Sequence, residues 1–192
     1  MIFFINVYNV YVINSFKEFI YFFIIITKII KKYHLRISVK FQFSEYIHIN
    51  QNHTPVIGIR NLYFYIRTAN DITPYNGTDV NWMNILIDTD GKQTGFEGYD
   101  FAINRAPKEH GKTSVERSAG GWNWEKVGEA TMTVDGNKMT ISVPLSMLGL
   151  SASEFSFGFK VADNVTNYKD IMDYYVSGDS APIGRLRYSY GY

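Results

Sequence analysis

Cysteine is absent from the 192 residues, which removes disulfides, thiolate metal centres and thiol nucleophiles and leaves the redox compartment open. Charge of one sign is also missing. Nineteen Lys and Arg stand against 18 Asp and Glu, a net of +1, so no long-range field gathers a polyanion and no nucleic-acid partner is expected. The usual signatures of catalysis are lacking too: there is no Gly-x-Ser-x-Gly, no His-Glu-x-x-His and no phosphate loop. Of the four histidines, His34, His48 and His53 lie in or beside the first fifty residues, and His110 is alone in 106–121, a stretch that reads as a loop. No nucleophile sits beside an evident base, so an enzyme is not expected. No repeat of 20–50 residues is visible, which sets aside solenoids and propellers.

Residues 1–50 hold no Gly, Ala, Pro, Asp or Trp, although the remainder carries all 15 Gly, all 5 Pro and all 3 Trp. The break extends to charge. Six basic and two acidic residues lie before Gln51, thirteen and sixteen after it. The first fifty are rich in Ile, Phe, Tyr, Asn and Lys, the residues that A/T-rich codons specify. A signal peptide wants a basic start and a small-residue cleavage site, and neither is present. The apolar run Phe-Ile-Tyr-Phe-Phe-Ile-Ile-Ile at 19–26 is bounded by Lys17, Glu18 and Lys28. That is short of the roughly 20 apolar residues that span a bilayer. A short signal-anchor and spurious translation of upstream sequence, with loss of the native beginning, both stay open for this hydrophobic leader. The domain expected to fold is 51–192, of ordinary size for one core.

Within it the patterning is that of strands. Residues 61–68, Asn-Leu-Tyr-Phe-Tyr-Ile-Arg-Thr, alternate with period two about Leu62, Phe64 and Ile66. Residues 71–77 read as a loop, 82–88 as a strand closed by an Asp-Gly turn at Asp90–Gly91, and 98–104 as its hairpin partner with Tyr99, Phe101 and Ile103 on one face. Runs at 122–127 and 129–134 precede Asp-Gly-Asn, and 138–143 follows it as the clearest hairpin. Pro144 and Gly149 bracket about one helical turn. Residues 155–161 alternate strongly, and 171–176 and 186–190 are shorter strand candidates. Short strands joined by Gly- and Asp-bearing turns, without long amphipathic helices, predict an all-β, antiparallel β-sandwich of jelly-roll-like form.

Several phrases in consistent order carry a resemblance. They are residues 61–68, Trp-Met-Asn-Ile-Leu-Ile-Asp-Thr-Asp at 82–90, Thr-Gly-Phe-Glu-Gly-Tyr-Asp-Phe-Ala-Ile-Asn-Arg at 94–105, Trp-Asn-Trp-Glu at 122–125, 136–144, 159–164 and 177–185. Together they resemble domains related to the family 9 carbohydrate-binding modules, over most of 58–192. The resemblance implies a sandwich fold and sugar binding, and with them an extracellular or cell-surface setting. Such domains place one or more strands ahead of the segment corresponding to Asn61, where this chain carries the compositionally unrelated residues 1–50.

Sugar recognition uses flat aromatic faces against pyranose C–H groups, with a few polar groups for the hydroxyls. Trp82, Trp122 and Trp124 are the large faces available, and Trp122 and Trp124 share strand parity; core filling would use the same residues. Arg105 could bond two sugar hydroxyls or a carboxylate-bearing sugar, and Arg185 similarly, with a surface ion pair as the plain alternative. Asp88 and Asp90, with Asp100, are hard oxygen donors that would suit calcium if the chain turns at Gly91. The residue at the twelfth position from Asp88 is Tyr99, so the calcium-loop pattern is incomplete, and turn capping is the alternative. Asp163, Asn164, Asp170, Asp173 and Asp179 form a second oxygen-rich stretch. The resulting expectation is a non-catalytic module that targets a polysaccharide or glycan as accessory to a larger carbohydrate-active or surface protein. Its rivals are a structural or interaction module without sugar binding and a glycoside hydrolase fragment, whose two carboxylates would be Glu97 with Asp100 or Glu125 with Asp173. A membrane enters only if the leader is a signal-anchor.

Overall fold

Alternation along 61–68 becomes a strand with one face sealed: Leu62, Phe64 and Ile66 are buried while Asn61, Tyr63 and Tyr65 are half-buried. The structure, a computed structural model, describes residues 26–29, 36–49, 55–107, 109–151 and 154–191, with side chains described for 61–107, 110–151 and 154–191. The strands are β1 (Ile26–Ile29), β2 (Arg36–Ile49), β3 (Pro55–Arg67), β4 (Asn84–Asp88), β5 (Phe101–Ile103) and β6 (Lys112–Ser118). They continue as β7 (Trp124–Asp135), β8 (Lys138–Pro144), β9 (Ser156–Asp163), β10 (Asp179–Ala181) and β11 (Tyr188–Gly191). All pairings are antiparallel, in the order β1-β2-β3-β8-β7-β6-β5-β4-β9-β10, with β11 also on β9.

The fold is therefore all-β and sandwich-like, built by one sheet that curls over itself. Its central strands β4 to β8 form an up-and-down meander, and β3 and β9 flank it on either side. Phe64 of β3 meets Phe157 and Phe159 of β9 edge to face, at 6.3 and 6.0 Å between ring centroids. Strands far apart in the sheet order are thus brought face to face, and the main core lies between them. A register shift in β6–β7 between Val115 and Glu116 sits at the bend, where a bulge adds local twist.

The compositional break at Asn50 falls between β2 and β3, whose backbones pair from Ser38 with Arg67 to Ile49 with Pro55. The apolar run at 19–25 lies outside the described residues, as do the side chains of His34, His48 and His53. Among the described residues no helix is long and apolar enough to cross a membrane.

The turns follow their residues. Gly91 takes φ 70°, and Asp135 pairs Lys138 across Gly136 at φ 54°. The helical turn expected between Pro144 and Gly149 is a 3-10 segment, Leu145–Leu148, entered from Pro144 and stopped by left-handed Gly149. Four expectations are corrected. Residues 122–134 are not two runs but one strand from Trp124. Residues 171–176, expected as a strand, give a one-turn helix α1 (Asp173–Val176), with Tyr174 fully buried; a short apolar run does not by its pattern distinguish the two. Strand β6 occupies part of the stretch 106–121, where the sequence predicts a loop. Tyr99 parts from Phe101 and Ile103: a bridge with Phe96 turns the chain before β5, so Tyr99 joins a second cluster on the opposite face of the sheet.

Candidate functional site

That second cluster covers the outer face of β4, β5 and β9. It consists of Leu86, Phe96, Tyr99, Ala102, Ala162, Val165 and Tyr174, with Trp122, Trp124, Ile171 and Tyr175 packed on it half-buried. Because this half of the sheet is covered on both sides, its outward polar residues are buried too. They have to be bonded to be tolerated. Asn104, at φ 71° and fully buried, donates from Nδ2 to the carbonyls of Trp82 and Met83 at 3.1 Å each and accepts from Thr113 Oγ1 at 2.7 Å. Lys160, fully buried, donates to the carbonyls of Pro182 and Gly184 and lies 5.3 Å from the Tyr175 ring.

Three of the five sequence candidates for ligand contact converge here, Arg105, Trp122 and Trp124. The Arg105 guanidinium lies 4.9 Å from the Trp122 ring and 5.8 Å from Trp124. It is ion-paired with Glu116 of β6, whose other oxygen accepts from Ser114 Oγ at 2.7 Å. The two indoles stand at 86° with centroids 5.7 Å apart, forming a corner. Phe96 packs edge-on to Trp122 at 4.6 Å, and Tyr168 flanks it at 5.1 Å. Both Trp pack on the same cluster, as the sequence predicts, but Trp122 lies in the turn before β7 and not on the strand, and the Ala119–Asn123 and Asn123–Gly120 backbone bonds hold that turn.

The indole N–H groups of both Trp and Nε of Arg105 are covered and without a hydrogen-bond partner. Neither indole N–H is therefore open as a donor, and the Trp122 ring is packed by Phe96, Trp124, Tyr168, Tyr174 and Arg105.

Trp82 is elsewhere. It is 6% exposed in the main core, packs on Tyr75 at 5.4 Å and donates Nε1 to the Thr73 carbonyl at 2.9 Å. Its indole has both its apolar and its polar requirement met inside the fold, and it contributes no face to the corner. Arg185 is exposed and lies against the Met172 sulfur at 3.3 Å.

Asp88, Asp90 and Asp100 do come together, offering one oxygen each within 4.8 Å of one another. Those oxygens also close the turn after β4. Asp88 Oδ1 accepts from the amides of Asp90 and Gly91, and Asp88 Oδ2 takes Arg187. Asp100 Oδ2 accepts from Thr89 N and Oγ1. The Lys92 amide and then its ammonium hold the Asp90 carboxyl below the usual carboxylate range. Five of the six carboxylate oxygens have partners in these bonds, whereas calcium takes about 6–8 oxygen ligands. The donor set fits a capped turn better than a calcium cage, and a cation here would have to displace Arg187 or Lys92.

The second oxygen-rich stretch is split. Asp163, strand-paired with Asp179, accepts from the Met83 amide at 2.9 Å. Asp170 and Asp173 cap the turn leading into α1. Burial, then the nearby charges of Asp179 and Asp79, push the Asp163 carboxyl up from 3.8. A carboxyl raised on folding favours the folded state most below its unfolded value, and that advantage is lost as pH rises through the folded value. Asp163→Asn keeps the acceptor for Met83 and removes the buried charge. It is expected to be more stable than the parent at about pH 7, with the gain vanishing by about pH 4, in urea denaturation at the two pH values.

Sequence reasoning missed Glu116, Asn104 and Arg187. Asn104 and Arg187 bond segments distant in sequence, and Glu116 joins Ser114 of its own strand to Arg105 after β5, arrangements that spacing does not signal. Comparison with protein-family models, with curated proteins and with solved structures returns no match.

Proposed function

We propose that the domain is a non-catalytic carbohydrate-binding module of a larger carbohydrate-active or cell-surface protein, as the resemblance to the family 9 modules implies. One observation carries this reading: the right-angled corner of Trp122 and Trp124, with the Arg105–Glu116 pair against it. A pyranose ring stacks its C–H face on one indole while its edge meets the other, and a guanidinium donates to hydroxyls. The glycan is recognised by shape and hydrogen bonding, and no bond in it need be broken.

Affinity electrophoresis through gels containing soluble polysaccharides tests this, with and without calcium. The wild-type chain is expected to be retarded by at least one glycan, and Trp124→Ala to lose about tenfold in affinity, the ~1.4 kcal/mol that a partly exposed aromatic contact supplies. Trp82→Phe, altering a core residue, should leave the retardation unchanged. Absence of retardation across the panel removes the proposal.

A second reading has its own observation. Met172, Val176, Ile183 and Leu186 are 42%, 79%, 43% and 65% exposed, an apolar character suited to contact with a neighbouring domain. Under that reading the aromatics are packing alone, and Trp124→Ala changes stability without changing retention on any glycan.

A further inference from the structure

A cleft of about 470 Å³ opens where β4 ends, β5 begins and β6 ends, facing the 3-10 turn after β8. That volume is within the range of small-molecule sites. The Trp corner does not account for it, although the β6–β7 turn contributes to both: Ser118 and Gly120 line the cleft, and Trp122 and Trp124 follow.

Its base is apolar, formed by Phe101 and Leu148 of the main core. Around that base stand Asp90, Asp100, Thr94 and Arg117. Arg117 is exposed, with its guanidinium 5.2 Å from the Phe101 ring, and it makes no ion pair among the described residues. Asp100 spends one oxygen on Thr89, and among the described residues no hydrogen bond occupies the other. Asp90 is neutralised by Lys92. An apolar floor with an available guanidinium, an available carboxylate oxygen and a hydroxyl at the rim matches a ring that is apolar on its faces and hydroxylated at its edge. Asp100 and Arg117 balance in charge. A carboxylate ligand would gain Arg117 but meet the unneutralised oxygen of Asp100, so a neutral ring is favoured.

We propose that this cleft is a second subsite, selective for a neutral sugar ring over an acidic one. It rests on the carbohydrate reading above and adds to it a ligand class and a place. At the cleft wall Gly95, at φ +71°, has no room for a side chain, since a Cβ would come within 2.4 Å of the Tyr99 carbonyl oxygen.

Calorimetric titration with methyl glucoside, cellobiose and glucuronate tests it on the wild-type chain, Thr94→Trp, Arg117→Ala and Trp122→Ala/Trp124→Ala. Thr94 and Arg117 are both exposed, so their variants are expected to keep the wild-type melting temperature. Arg117→Ala serves even if the bulky indole introduced at Thr94 disturbs the loop. The expected result is a loss of about fivefold or more in cellobiose affinity in both cleft variants, with methyl glucoside bound more tightly than glucuronate. If the cleft variants bind cellobiose as the wild type does while the double Trp variant does not, the cleft proposal is overturned and the Trp corner stands. If glucuronate binds more tightly, the neutral-ring assignment is overturned. If the wild type binds none of the sugars in the calorimeter and is not retarded by any polysaccharide in the gels, both proposals fall together.

Discussion

Phe64→Ala is expected to cost about 3–5 kcal/mol of folding stability, the range for deleting a fully buried aromatic side chain. The reason is its position. Phe64 is fully buried in the C-terminal part of β3, and its edge-to-face partners Phe157 and Phe159 belong to β9, across the meander. Truncation removes transfer free energy and leaves a cavity between the two halves of the curled sheet, where neither half can close alone. Tyr63→Ala, one residue away on the half-buried face, provides the comparison and should cost less than half as much. Urea denaturation at equilibrium reads both. Equal small losses would mean that β3 and β9 do not face each other.

Period-two patterning made β3 and β9 legible, because a strand with one sealed face repeats its apolar residues at every second position. The Asp-Gly turns and the Pro144–Gly149 bracket were legible from backbone preferences alone. Strand β6 was not, because its only buried apolar side chain is Val115; Thr113, Ser114 and Glu116 are buried beside it, Ser114 and Glu116 bonded to each other and Thr113 and Glu116 to Asn104 and Arg105 after β5. A polar strand buried at the bend carries no hydrophobic period to read. For the site, the sequence put Trp122 with Trp124 on strand parity, whereas the turn ahead of β7 brings Trp122 there. Whether each tryptophan faced core or rim depended on the Thr73 carbonyl and on the loop bearing Phe96, which sequence spacing does not reveal.

Arg187→Ala is expected to destabilise the fold by about 3 kcal/mol, since removing one partner of a buried pair strands the other charge. Asp88 is that stranded charge, with its side chain 7% exposed against 22% for Arg187. The same guanidinium donates to the carbonyls of Gly98 and Glu97 and lies 4.6 Å from the Tyr99 ring, so it ties the loop after β4 to the last strand. Asp88→Asn in the Arg187→Ala background removes the stranded charge and keeps an acceptor for the amides of Asp90 and Gly91. It should recover at least half of the loss. Thermal and urea unfolding of the single and double variants measure this coupling. No recovery would mean that the carbonyl and ring contacts of Arg187, rather than its charge, hold the loop.

The central claim is that ligand meets the outer corner and the end of the sandwich, while the core between the sheet halves serves only to hold them. Amide chemical-shift mapping in the presence of a retained oligosaccharide tests it most directly. Perturbations are predicted at Ser118, Gly120, Trp122, Trp124, Arg105 and Ala106, with Leu62, Phe64 and Ile141 of the core unmoved. Shifts centred on those core strands, or none at saturating sugar, would contradict it.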